Sequence, residues 1–129
     1  MALSGVSHIS LTVTDLALSG PWYHEVLGWE EKMNGRSETT AFVYGTLPDG
    51  VAIVLRVHDA PGADTFDERN VGMDHLSLVA TDAGDLTTVE RRLQSLGAEY
   101  TPIQQLPYGQ VLNFRDPDNI ALELVYSPG

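Results

Sequence analysis

One segment of this chain occurs twice. Val6-Ser7-His8-Ile9-Ser10-Leu11-Thr12-Val13-Thr14-Asp15 returns as Asp74-His75-Leu76-Ser77-Leu78-Val79-Ala80-Thr81-Asp82. His8, Ser10, Leu11, Thr14 and Asp15 reappear as His75, Ser77, Leu78, Thr81 and Asp82, each 67 positions later, from 8 to 75. Identities kept in step over so long a spacing mark a duplicated supersecondary unit. Each copy carries one His at the same place in its strand pattern.

The first copy alternates. Ile9, Leu11 and Val13 fall on one face, and His8, Ser10, Thr12 and Thr14 on the other. Period two predicts a strand with one face on an apolar layer. A helix follows, capped by Asp15 or Ser19, with Pro21 in its first turn and Gly28 at its stop. Trp22, Tyr23, Val26 and Leu27 give it an apolar side. Residues 29–33 read as a short strand, and Asn34-Gly35 as a turn. Residues 38–45 and 51–57 read as two more strands, joined by the turn residues Leu47-Pro48-Asp49-Gly50.

The order then repeats. Residues 74–81 predict a strand, and Asp85 caps a helix with Leu86, Val89, Leu93 and Leu96 at helical spacing. Gly97 stops it. Strands follow near 99–103, 110–115 and 120–126, with a turn at Asp116-Pro117-Asp118-Asn119. The expectation is an α+β chain of two βαβββ modules. Residues 1–129 form one domain, with module 1 at 6–57, a linker at 58–73 and module 2 at 74–126.

The two last strands align through their turns. Asp49-Gly50-Val51-Ala52-Ile53-Val54-Leu55 lies over Asp118-Asn119-Ile120-Ala121-Leu122-Glu123-Leu124, so Glu123 stands where the first copy has Val54. A carboxylate flanked by apolar strand residues needs a cation, an Arg or open water, because an unpaired buried charge costs several kcal/mol. His8 and His75 occupy equivalent faces of equivalent strands. With pseudo-twofold packing those faces meet, and Glu123 joins them. Two neutral imidazoles and one carboxylate can occupy one side of a metal ion, leaving positions for water, oxygen or substrate.

The charge balance narrows the partners. The net charge is −11, which repels phosphate backbones and argues against nucleic acid. No apolar run reaches the roughly 20 residues of a membrane span. Residues 1–5 have no basic stretch of a signal peptide, and the cytoplasm is the expected compartment. There is no Cys, which removes disulfides and thiolate ligands.

Taken together, these residues resemble the vicinal oxygen chelate superfamily, which includes glyoxalase I, extradiol dioxygenases, fosfomycin-resistance transferases and bleomycin-resistance proteins. The resemblance rests on four features. They are His8 opening the first strand, Trp22-Tyr23-His24-Glu25-Val26-Leu27-Gly28 in the first helix, His75 opening the second copy, and Phe114-Arg115-Asp116-Pro117-Asp118-Asn119 leading to Glu123. It implies two modules curled into a cup-shaped incomplete barrel around a divalent metal, in many members completed by a homodimer. It implies His8, His75 and Glu123 as the metal ligands. Two departures stand out. Glyoxalase I carries a fourth ligand, a Glu, where this chain has Val54. The fosfomycin transferases need a cation beyond the last strand, whereas the six residues after Glu123 include no Lys or Arg. The ring-cleaving dioxygenases add a second-sphere Tyr, for which Tyr108 is the candidate.

Other residues read more plainly. Arg56 shares the parity of Val54 and can meet an anionic substrate; an exposed edge Arg is the competing reading. Phe42 and Tyr44 share a strand face and either line the pocket or join the core. His24 reads as helix packing, His58 as solvated, and Glu90-Arg91-Arg92 as a solvated helix face. Asp116-Pro117-Asp118-Asn119 lacks the spaced ligands of a calcium loop and reads as a turn. The function expected is a metal-dependent enzyme acting on a small oxygen-bearing substrate, by dioxygenase-like or lyase/isomerase chemistry. The ion is Fe, Mn, Zn or Ni. The alternative is a non-catalytic drug- or metabolite-binding protein.

Overall fold

The computed structural model describes residues 1–129. The elements run β1 (Ile9–Thr12), α1 (Leu16–Leu27), β2 (Glu30–Arg36), β3 (Thr40–Thr46) and β4 (Ala52–His58). They continue as β5 (Leu76–Val79), α2 (Ala83–Ser95), β6 (Tyr100–Leu106), β7 (Gly109–Arg115) and β8 (Ala121–Tyr126). This is strand, helix and three strands, twice. The chain divides into two compact units, Met1–Gly62 and Ala63–Gly129.

In the first unit the sheet order is β1-β4-β3-β2. β1 runs parallel to β4, and the other neighbours are antiparallel. The apolar parity of the strands faces α1: Ile53 and Leu55 are fully buried, as are Tyr23 and Val26 of the helix. Trp22 and Tyr23 meet edge to face at 4.9 Å. Trp29 lies over Gly45, where a Cβ would collide with its indole and with the Glu30 carbonyl. Its Nε1–H donates to the Ile53 carbonyl at 3.0 Å, so a large aromatic is locked on the helix side of the sheet by contact and hydrogen bond together.

Of the two expected caps for α1, Asp15 takes the role, accepting from the Ala17 N–H at 2.9 Å. Other local expectations are corrected. Ser19 is buried inside the helix, and Pro21 lies beyond the first turn. Asn34-Gly35 is not a turn but part of β2, with the reversal at 37–39 closed by Ser37 N–H to the Thr40 carbonyl. The reason is non-local. A Cβ on Gly35 would meet Phe42 Cζ at 2.9 Å, so the glycine makes room for a ring on the next strand.

The second unit repeats the plan with order β5-β8-β7-β6. Leu112, Leu122 and Phe114 of the sheet and Leu86 and Leu93 of α2 form its core. Asp82 caps α2 through the Gly84 N–H, and Asp85 sits in the first turn instead. Leu96, expected on the apolar helix face, is the C-cap and exposed. Gly97, with φ 64°, follows it in the left-handed region that glycine adopts freely. Both first strands are shorter than the alternation suggested, yet each continues by one bond. Val13 N–H reaches the Arg56 carbonyl at 2.9 Å, and Ala80 N–H reaches the Val125 carbonyl at 2.8 Å.

The 116–119 turn is held by its own first residue. Asp116 Oδ1 accepts from the Asp118 and Ile120 N–H groups, both at 2.8 Å, and Asn119 takes φ 67°. That carboxylate oxygen serves the backbone, as a turn requires.

Candidate functional site

Each sheet has one face on its helix and one face of mixed polar and apolar side chains, and register places the side chains on the latter. In the first unit Ser10 pairs with Val54, and Val54 with Tyr44. In the second unit Ser77 pairs with Glu123, and Glu123 with Asn113. The duplicated serine therefore marks the same place twice, with valine beside it once and glutamate beside it once.

His8 and His75 each lie two residues upstream of that serine, just before the first strand, and both are exposed. Their ring contacts match. His8 Nδ1 lies 3.1 Å from Ser7 Oγ, and His75 Nδ1 donates to Asp74 Oδ1 at 2.7 Å. A carboxylate that accepts from Nδ1 fixes the tautomer and leaves Nε2 with a free lone pair. Glu123 is anchored on one side only: Ser77 Oγ donates to its Oε1 at 2.7 Å. In module 2, His75 precedes β5 and Glu123 lies on the neighbouring β8; in module 1, His8 precedes β1. No three His, Asp or Glu side chains are gathered closely enough anywhere in the chain to hold a metal ion.

Arg56 is built differently. Its guanidinium lies 5.0 Å from the centre of the Phe42 ring, its Nη1 donates to Thr40 Oγ1 at 2.7 Å, and its Nε to Ser10 Oγ at 3.4 Å. Where Ser77 serves a carboxylate, Ser10 serves a cation. Tyr108 sits at the tip of the β6–β7 hairpin, 59% exposed and five residues from Asn113 along the chain, about 16 Å of extended strand. It contacts none of the other predicted residues by hydrogen bond.

Two residues on these faces escaped the sequence reading. Asn113, opposite Glu123, gave no signal beyond its strand parity. Thr40, nearly buried, is recognisable only through the arginine it holds. Arg115 also projects from this face of module 2. It grips Glu68 with both nitrogens at 2.9 and 2.8 Å. Those hydrogen bonds hold the Glu68 carboxyl down at about 2 and raise the Arg115 guanidinium. Arg69 does the same to Asp67, which also falls to about 2.

Two hollows border these elements. One of about 190 Å³ borders the β6–β7–β8 end, lined by Thr101, Asn113, Arg115 and Ala121 among others. The other, about 400 Å³, lies on the helix side of module 1 against Pro21, His24, Trp29, Glu31 and Val43. His24, read as a packing residue, donates from Nδ1 to the Trp29 carbonyl at 2.9 Å and ties the helix end to β2. His58 ends β4 and is exposed.

The duplicated architecture finds its counterpart among known proteins. The family model described as Glyoxalase/Bleomycin resistance protein/Dioxygenase superfamily matches residues 5–124. The chain belongs to this superfamily. A glyoxylase/bleomycin resistance protein/dioxygenase domain from Frankia sp. EAN1pec is 53% identical, with a TM-score of 0.95, over 98% of this chain and 94% of that one. The fosfomycin resistance protein FosX from Listeria monocytogenes shares the fold at 22% identity and a TM-score of 0.78, covering 98% and 96%. Its complex with Mn(II) and sulfate aligns at 22% identity and 0.76, covering 98% and 95%. No curated protein sequence matches the chain. No helix of this superfamily member is long and apolar enough to cross a membrane.

Proposed function

We propose that the protein is a metal-dependent enzyme in which His8, His75 and Glu123 together ligate one divalent ion, Fe, Mn, Zn or Ni, and that it acts on a small oxygen-bearing organic molecule. The observation that carries this reading is the matched register: a histidine two residues before Ser10 and Ser77 in both modules, with Glu123 beside Ser77. The donor chemistry fits. His75 has a free Nε2 held in place by Asp74, and Glu123 keeps Oε2 after Ser77 takes Oε1. Such a two-imidazole, one-carboxylate set leaves coordination positions open. The Mn(II) complex of the Listeria fold relative supports an ion of this class.

The ion, when bound, supplies a Lewis acid for oxygens of the substrate. The chain supplies the rest. Asp74 and Ser77 orient the ligands, Arg56 offers a positive charge, and Tyr108 a phenol. Val54 neither ligates nor moves a proton, so a fourth acidic ligand of the glyoxalase I kind is absent from the proposal. We extend the reading to a homodimer, which light scattering on the purified chain checks.

Elemental analysis of the wild type beside His75→Ala and the control His24→Ala tests the ligand set. Metal is expected in the wild type and the control and missing from His75→Ala; equal content in all three overturns it. A panel of catechols, 2-oxoaldehydes and epoxides, under air and under argon, then separates dioxygenase from lyase or isomerase. A second reading draws on Val54, which puts an apolar group at one of the two duplicated positions. It is a binding protein without chemistry, and its mark is ligand binding that persists after chelation.

A further inference from the structure

Arg56 stands apart from the chain's other strand and linker cations. Lys32, Arg36, Arg69 and Arg115 are each paired with a carboxylate, and Arg91 and Arg92 lie on α2, away from these sheet faces. Arg56 is held by two hydroxyls and an aromatic face. Its charge is positioned but not neutralised. A guanidinium has five N–H donors, and only one on Nη1 and the one on Nε are engaged. Both donors of Nη2 are therefore free for a ligand.

The support is layered. Gly35, Phe42 and Arg56 share one register row across β2, β3 and β4. The absent Cβ of Gly35 makes room for the Phe42 ring, and the ring carries the guanidinium. Thr40 Oγ1, which accepts from Nη1, is itself 2.5 Å from Ser37 Oγ. The next row along the same face holds Ser10, Val54 and Tyr44, with exposed Met33 at its end. The face thus offers one free cation beside an apolar strip. In a chain of net charge −11, a cation without an acid partner is a favourable place for an anionic ligand.

We propose that Arg56, backed by Thr40 and Phe42, docks the carboxylate of an organic acid whose apolar body lies along Tyr44 and Met33. Arginine suits this role because its planar fork matches a carboxylate. The proposal rests on the functional reading above for its place in a reaction, since His8, just before β1, is four residues from Thr12, the register partner of Arg56. That separation is about 13 Å, so a molecule touching both is elongated.

The test uses the full chain and 4-phenylbutanoate as probe, followed by calorimetry or backbone NMR at low ionic strength. The neutral analogue 4-phenylbutanamide and inorganic phosphate are the comparison arms. The wild type is expected to bind the carboxylate at least tenfold tighter than the amide or phosphate. Arg56→Gln should lose that preference, and Arg56→Lys should retain part of it. Equal binding of acid and amide by the wild type overturns the proposal without recourse to any variant. So does phosphate binding as tightly as the acid, or unchanged acid preference in folded Arg56→Gln. Preference for the acid should survive in His75→Ala and in chelator. That outcome keeps this site distinct from the metal reading, and its loss in chelator would overturn an Arg56-based site.

Discussion

Ser77 donates its hydroxyl hydrogen to Glu123 Oε1 at 2.7 Å, across a parallel strand pair in which the two residues are register partners. This bond orients a carboxylate on a sheet face and leaves its second oxygen free. Removing the hydroxyl in Ser77→Ala lets the carboxylate swing. Groups that orient metal ligands are worth about 10–100-fold in metal affinity. Competition titration with a chromophoric chelator should show metal affinity weaker by about that factor in Ser77→Ala, while Ser95→Ala, on α2, is unchanged.

Ser19 gives a stability prediction of the opposite sign. Its side chain is 1% exposed on α1, and its Oγ has no hydrogen-bond partner. An unsatisfied buried hydroxyl costs about 1–3 kcal/mol, and alanine is the better helix former. Ser19→Ala should raise unfolding stability by about 1 kcal/mol in urea titration. A clear loss would mean the hydroxyl has a partner after all.

Two glycines in the same strand pair should respond unequally. A methyl at Gly35 meets only Cζ, the far end of the Phe42 ring, at 2.9 Å, whereas a methyl at Gly45 meets the Trp29 indole and the Glu30 carbonyl at 2.5 Å. A ring tip can yield; backbone and a locked indole cannot. Gly35→Ala is expected to cost about 1 kcal/mol and Gly45→Ala about 3 kcal/mol or more. Denaturant midpoints of the two variants check the order.

The Glu68–Arg115 pair predicts an acid limb. The Glu68 carboxyl is lowered from 4.5 to about 2, chiefly by the Arg115 hydrogen bonds. A depressed carboxylate stabilises the fold fully above its unfolded pKa, and the contribution fades as pH falls through the folded one. Stability should therefore decline between about pH 4.5 and pH 2, with Asp67, held down by Arg69, declining over the same acid range. Arg115→Gln should flatten this limb. Denaturation curves at pH 7, 4 and 2.5 measure it.

The duplicated architecture was legible because it rests on period and repetition. Alternation in 6–14 and 74–81 and the in-step His, Ser and Asp residues disclose two equivalent modules, and register then bears out the alignment of Val54 with Glu123. What stayed hidden is non-local. Asn34-Gly35 has the composition of a turn, but its glycine answers a ring on the neighbouring strand. Asp85 is a capable cap, yet Asp82 took that role, because the strand ended early and α2 began sooner, whereas for α1 the expected Asp15 serves. The hydroxyls that steady Arg56 and Glu123 come from other strands, and a linear reading has no rule for pairing them.

Val54 is 5% exposed, packed at the place where its counterpart is an acid. A doubled gene begins with interchangeable halves. Here the halves differ at a buried point: a glutamate at 54 enters a covered seat beside its register partner Ser10, whose hydroxyl already serves Arg56. An acid placed at 54 therefore competes with Arg56 for the same serine, so the two modules are no longer exchangeable at this position.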